Sequence, residues 1–114
     1  MYLFATWGYK QIKGMTDSLF KEYTQLAAEI QAEVVPVGPM WDELKDSINL
    51  YDGDGAHPNR KGTFINTCLC YEYLFQENST EIQHSDDRLD VSTQRRLKRW
   101  AHEFRKTNVH LKNN

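Results

Sequence analysis

Residues 33–38 read Glu-Val-Val-Pro-Val-Gly, and this short β-branched run predicts a strand. Together with the segments that precede it, this strand indicates the fold class. Residues 2–7 (YLFATW) are rich in aromatic and apolar side chains and predict a buried strand. Between the two runs, apolar residues recur at three- and four-residue steps from Leu19 to Ile30. That spacing predicts an amphipathic helix. Strand, helix and strand form a βαβ unit, which favours parallel pairing and a right-handed crossover.

The ends of this unit also carry local signals. Thr16 and Asp17 offer an N-cap and an acidic first turn for the helix, after a loop over residues 8–14. Pro36 cannot donate to a ladder, so we expect it near the end of the second strand or at a sheet edge.

Three more helices are predicted after the βαβ unit. The first is short, over residues 40–45, and the second covers residues 63–75. The third covers residues 92–106, with a narrow apolar stripe and a basic face that we expect to be solvated. Residues 49–60 are dense in Asp, Gly, Pro and Asn, and residues 77–87 are polar, so both predict loops.

Length and charge exclude several classes of protein. A chain of 114 residues predicts one domain, and a net charge of -2 does not resemble a basic nucleic-acid surface. The longest apolar runs are far short of a membrane span, so neither nucleic acid nor membrane is expected as a partner. Cys68 and Cys70 lie two apart in a predicted helix, where they could not bridge each other. They therefore do not indicate the redox compartment of the protein.

The number of strands suggests that the domain is larger than this chain. Two parallel strands do not make a stable sheet, because α/β sheets need more strands and cover on both faces. We therefore expect residues 1–114 to be the C-terminal portion of a larger α/β domain, with the missing strands ahead of residue 1.

The segment with the clearest chemistry is residues 50–63, LYDGDGAHPNRKGT. Asp54 lies three residues before His57 in a loop rich in Gly and Pro, so its carboxylate can fold back onto the imidazole. An Asp that accepts from one ring nitrogen leaves the other free as a general base. Without further sequence support, an Asp-His pair in a loop more often stabilises a turn than takes part in catalysis.

The wider sequence resembles the SGNH (GDSL) ester hydrolases, whose last catalytic block is D-x-x-H. The pattern Asp54-x-x-His57-Pro58 followed by residues 62–64 (GTF) matches that block in order and spacing, and residues 34–41 (VVPVGPMW) resemble the strand before it. The resemblance covers residues 1 to about 76. It implies a partial three-layer α/β/α flavodoxin-like fold, with parallel strands flanked by helices.

The resemblance also implies roles. His57 would take the proton of a serine hydroxyl and return it to the leaving alcohol, while Asp54 would orient the imidazole. The substrate would be a carboxylic ester, such as an acetyl ester of a carbohydrate, and no cofactor or metal is implied. The Gly-Asp-Ser turn and the oxyanion donors of the family are not found. Asp17-Ser18-Leu19 lacks the preceding Gly and sits at a predicted helix start, so Ser18 is rejected as the nucleophile.

Other interpretations remain open at this point. The chain could be a small non-catalytic α/β protein, or Asp52, Asp54 and His57 could bind a metal ion. Trp41 follows the end of the second strand, where α/β ligand sites lie, so it either lines a substrate cleft or packs in the core. The remaining histidines stand in polar surroundings and are expected to be solvated: His84, His102 and His110.

Overall fold

The computed structural model describes residues 1–83 and 85–108 of the chain. Within them the elements follow in the order β1 (Tyr2–Phe4), α1 (Met15–Ile30), β2 (Glu33–Val35), α2 (Val37–Leu44), α3 (Arg60–Phe75), a 3₁₀ helix (Ser79–Glu81) and α4 (Val91–Thr107). The protein is therefore mixed α/β, as predicted, and none of the described helices is long and apolar enough to cross a membrane.

The two strands pair in parallel, with Leu3 opposite Val34. Side chains alternate across a strand, so the sheet has two distinct faces. On one face Val34 packs with Ala5 and with Ala27 of α1. On the other face Val35 joins the larger core built from α2, α3 and α4. Helices thus cover both faces of the sheet, which agrees with the predicted βαβ unit.

Both strands are shorter than the predicted spans of residues 2–7 and 33–38. The chain leaves the sheet at Pro36, and α2 starts at the next residue, three residues earlier than predicted. The Gly38 N–H donates to Ala5 O at 2.8 Å, so the start of α2 lies directly against the end of β1. Pro36 stands at the end of its strand, and that part of the prediction is confirmed.

The predicted cap of α1 is wrong. The helix begins at Met15 after Gly14, which has the left-handed φ of 82°. The Thr16 hydroxyl accepts instead from the Gly8 N–H at 2.9 Å and so fixes the loop between β1 and α1. A threonine hydroxyl can cap a helix or bind an N–H elsewhere in the chain, because the same oxygen accepts from whichever N–H the fold brings to it.

The later helices agree with prediction to within three residues. α3 begins at Arg60 because the Asn59 side chain caps it, accepting from the Gly62 N–H at 2.9 Å. α4 begins at Val91, where the Asp90 carboxylate accepts from the Thr93 N–H at 2.6 Å. The polar segment over residues 77–87 also contains the 3₁₀ helix.

A buried carboxylate joins α3 to α4. Glu72 is fully buried; it accepts from the Ser79 N–H and lies 3.1 Å from Nδ1 of His102 and 3.5 Å from Nε of Arg105. His102 was predicted to be solvated, and this is wrong, because its ring pairs with Glu72 across the helix interface. The other two histidines with that prediction, His84 and His110, lie outside the described residues.

Candidate catalytic loop

The loop that carries Asp54 and His57 connects α2 to α3 and closes on itself. The Asp52 N–H donates to His57 O at 2.7 Å, beside an antiparallel bridge between Tyr51 and Pro58. Gly55 turns the chain with φ of 69°, a conformation that favours glycine. The loop is therefore a tight hairpin with Asp54 and His57 near its tip.

Two contacts tie this hairpin to the residues that follow β1. The indole N–H of Trp7 donates to Ala56 O at 2.7 Å, and the Lys10 N–H donates to Gly55 O at 2.8 Å. The hairpin therefore lies at the carboxyl edge of the parallel sheet, the edge where open α/β sheets bind their ligands.

Asp54 and His57 form the pair that their spacing predicts. Oδ2 of Asp54 lies 2.5 Å from Nδ1 of His57. Oδ1 accepts from the backbone N–H groups of Ala56 and His57, each at 2.9 Å. The carboxylate is thus fixed by three contacts, and it can hold the imidazole in the tautomer that has the proton on Nδ1.

The second ring nitrogen of His57 is open to a reactant. The side chain is 79% exposed, and that of Asp54 is 49% exposed. Nε2 has no hydrogen-bond partner in the part of the chain that the structure describes. A neutral imidazole with its proton on Nδ1 presents an acceptor at Nε2, so the ring can take a proton from a hydroxyl placed there.

The two groups shift each other's titration in opposite directions. The hydrogen bond from His57, helped by the two backbone N–H groups, holds the pKa of Asp54 far below its usual range. The same hydrogen bond to Asp54 raises the pKa of His57 above its ordinary value. Asp54 therefore stays ionised near neutral pH, and its negative charge favours the protonated form of the His57 ring.

Residues outside the D-x-x-H pattern hold the hairpin in place. The Asn59 amide donates to the carbonyl oxygens of Asn49 and Tyr51 at 2.9 and 3.1 Å. The Tyr51 hydroxyl donates to Gly8 O at 2.6 Å. Sequence reasoning missed these anchors; an Asn directly before a helix is an N-cap signal and could have pointed to Asn59.

Close packing explains why a glycine, Gly62, follows the His57-Pro58 pair. A Cβ at this position would lie 2.5 Å from Leu50 O and 2.9 Å from the Trp41 ring. The first turn of α3 therefore packs directly on the base of the hairpin, which fixes the direction in which the chain leaves His57.

Trp41 lies beneath the site. It is only 3% exposed, stacks on Trp7 with ring centroids 4.1 Å apart, and donates its indole N–H to Asn66 Oδ1 at 2.7 Å. Its edge reaches the wall of a cavity of about 450 Å³, which Tyr9 and Tyr51 also line. The structure thus gives Trp41 a packing role, and its contact with a substrate stays a prediction.

Ser18 and Asp52 take no part in the pair. Ser18 is exposed in the first turn of α1, and no hydrogen bond joins it to His57 within the described residues. The Asp52 carboxylate accepts from the adjacent Gly53 N–H at 2.9 Å. Over residues 1–83 and 85–108, no three His, Cys, Asp or Glu side chains are grouped to hold a metal ion, so the predicted metal-binding alternative has no site there.

Comparison with known proteins identifies the fold but no family. No protein-family model and no curated protein matches the sequence. The crystal structure of a DUF4886 family protein from Bacteroides uniformis is similar to this chain, with a TM-score of 0.75 at 18% sequence identity. The likeness covers 90% of this chain and 46% of that chain, so this chain spans about half the length of its structural neighbour.

Proposed function

We propose that this chain supplies the acid–base pair of an SGNH-type serine ester hydrolase, with the nucleophilic serine on polypeptide outside residues 1–114. One observation carries the proposal. Asp54 Oδ2 contacts His57 Nδ1 at 2.5 Å while Nε2 remains open, at the carboxyl edge of a parallel sheet. The order of Asp54, His57, Pro58 and Gly62 along the chain supports it.

The proposed reaction assigns a role to each member of the pair. His57 Nε2 takes the hydroxyl proton of the serine as its oxygen attacks the ester carbonyl. Asp54 stabilises the resulting imidazolium, which then donates the proton to the departing alkoxide. A water molecule then attacks the acyl-enzyme with the same proton transfers through His57, which releases the carboxylic acid and restores the serine. An acetyl ester of a carbohydrate is the substrate that the resemblance favours, and the chemistry needs no cofactor.

The test is hydrolysis of p-nitrophenyl acetate by two proteins: residues 1–114 alone, and the product of the longest reading frame that contains them. We expect no turnover by the short chain, because it lacks the nucleophile and the oxyanion donors. We expect turnover by the long protein, reduced by about 10³-fold or more in His57→Ala.

Two results would contradict the proposal. One is a long protein that is inactive or unaffected by His57→Ala. The other is a short chain whose turnover is lost in both His57→Ala and Ser18→Ala, because this would make Ser18 the nucleophile.

A further inference from the structure

We propose that Trp7 is a positioning residue for His57: its indole and the loop between β1 and α1 fix the two peptide groups that hold Asp54 against the imidazole. The consequence for hydrolysis rests on the proposed function. The positioning itself follows from hydrogen bonds among the described residues. Neither Trp7 nor that loop belongs to the D-x-x-H pattern.

The two backbone groups that bind Asp54 belong to successive peptide units. Oδ1 of Asp54 accepts from the N–H of Ala56 and from the N–H of His57, each at 2.9 Å. A peptide unit is planar, so an N–H turns together with the C=O of the preceding residue. The Ala56 N–H therefore turns with Gly55 O, and the His57 N–H turns with Ala56 O. Groups that bind these two oxygens also fix the N–H groups at Asp54.

The loop between β1 and α1 binds both of these oxygens. The indole N–H of Trp7 donates to Ala56 O at 2.7 Å, and the backbone N–H of Lys10 donates to Gly55 O at 2.8 Å. The Gln11 side chain also lies against Gly55, because a Cβ there would come within 2.5 Å of Gln11 Nε2. Each of the two peptide units is thus bound on both sides, by the loop at its oxygen and by the carboxylate at its N–H.

The Trp7 ring is held in the orientation that its hydrogen bond requires. It stacks on Trp41 with ring centroids 4.1 Å apart and ring planes 5° apart. Trp41 in turn is buried and donates its own indole N–H to Asn66 Oδ1 of α3. The Tyr51 hydroxyl donates to the carbonyl oxygen of the neighbouring Gly8 at 2.6 Å. Trp7→Phe would therefore remove the donor to the hairpin while it keeps an aromatic ring beside Trp41.

The orientation of the imidazole depends on Trp7 through Asp54. With Oδ1 fixed by two N–H groups, Oδ2 stays at His57 Nδ1, and Nε2 keeps one direction. A connected hydrogen-bond network fixes its members more firmly than the separate contacts would. Without the indole donor, the peptide unit between Ala56 and His57 is free to turn, and the carboxylate contacts the ring for less of the time.

The first test is an NMR titration of the His57 ring in residues 1–114. The negative charges that raise the pKa of His57 are those of Asp54 and, to a smaller extent, Asp52. We expect the midpoint to fall in Trp7→Phe, toward its value in Asp54→Asn, because the contact that favours the imidazolium is weakened. Trp100→Phe is the matched control and should leave the midpoint unchanged, since the half-buried Trp100 lies over Arg96 of α4.

A double-mutant cycle shows whether Trp7 acts through Asp54. We expect Trp7→Phe to lower the His57 midpoint in the unmodified chain and to have no further effect in Asp54→Asn. A midpoint that Trp7→Phe leaves unchanged, or lowers equally in both backgrounds, would overturn the proposal. If Trp7→Phe fails to fold, the benzothiophene analogue of tryptophan at position 7 replaces it, because this analogue keeps the two-ring shape and exchanges only the N–H for sulfur.

The second test separates this inference from the proposed function. It measures hydrolysis of p-nitrophenyl acetate by the protein from the longest reading frame, at a pH above both midpoints, where His57 is neutral. We expect Trp7→Phe to lower kcat about tenfold or more with little change in KM, because the orientation of His57 affects proton transfer rather than substrate binding. An active protein whose kcat is unchanged in Trp7→Phe would overturn the inference alone. A lowered midpoint in a long protein that hydrolyses no ester would support the positioning role and remove the hydrolase function.

Discussion

At the residue scale, the site depends on Asp54 more than on any other side chain. Its Oδ1 accepts hydrogen bonds from two backbone N–H groups of its own turn, and its Oδ2 contacts the His57 imidazole. The turn and the Asp54–His57 pair are therefore the same structure, which is why a spacing of three residues could predict both. The Trp7 anchor of the hairpin lies 49 residues from its partner Ala56, and no local pattern predicts it, whereas Asn59 carries a local N-cap signal.

The titration of His57 should report this contact directly. Its hydrogen bond to Asp54 raises the pKa above the ordinary 6.5, because it favours the imidazolium. We expect the NMR midpoint of the His57 ring to lie above 6.5 and to fall in Asp54→Asn, with His57→Ala for assignment. As a base His57 must be neutral, so ester hydrolysis by the protein from the longest reading frame should rise as pH increases through that midpoint. An unchanged midpoint in Asp54→Asn would show that the contact is absent in solution.

Gly62 should be intolerant of even one added methyl group. Gly62→Ala places a Cβ against Leu50 O and the Trp41 ring, and we expect a loss of about 2 kcal/mol in the free energy of unfolding. Gly53→Ala is the matched control in the same hairpin, since nothing lies within 4 Å of its Cβ position. Urea denaturation of both variants makes the comparison. Equal stabilities would mean that α3 does not pack on the hairpin as described.

At the element scale, the helices were predicted well and the strand ends were not. Helix periodicity is a local property, and apolar positions three and four apart place α1, α3 and α4 within three residues. The strands end where α2 and the first loop dock on the sheet, as when Gly38 contacts Ala5, and such contacts are not encoded locally. The role of His102 was missed for the same reason, because Glu72 lies 30 residues away.

Glu72 should be the main polar link between α3 and α4. Glu72→Ala leaves the Ser79 N–H, His102 and Arg105 without their shared acceptor, and we expect a loss of about 3 kcal/mol in unfolding free energy. Glu103→Ala, an exposed carboxylate on α4, should change stability by less than about 0.5 kcal/mol. Thermal or urea unfolding tests both. A Glu72→Ala variant as stable as Glu103→Ala would show that the buried cluster contributes no net stabilisation.

At the scale of the whole molecule, the described residues combine the Asp54–His57 hairpin with a sheet of two parallel strands. The outer edge of β1 carries no strand within those residues, and Phe4 is exposed there. The small number of strands led us to expect a larger α/β domain, and this stays a prediction. The likeness to the structural neighbour covers only 46% of that chain. We propose on these grounds that the functional domain is larger than residues 1–114.

The most direct measurement of the central claim is the site of labelling by a fluorophosphonate, which reacts with activated serines. It should be mapped by peptide mass spectrometry on the protein from the longest reading frame. The account predicts one labelled serine outside residues 1–114, with labelling lost in His57→Ala and slowed in Asp54→Asn. A label on Ser18, or labelling that does not depend on His57, would contradict it.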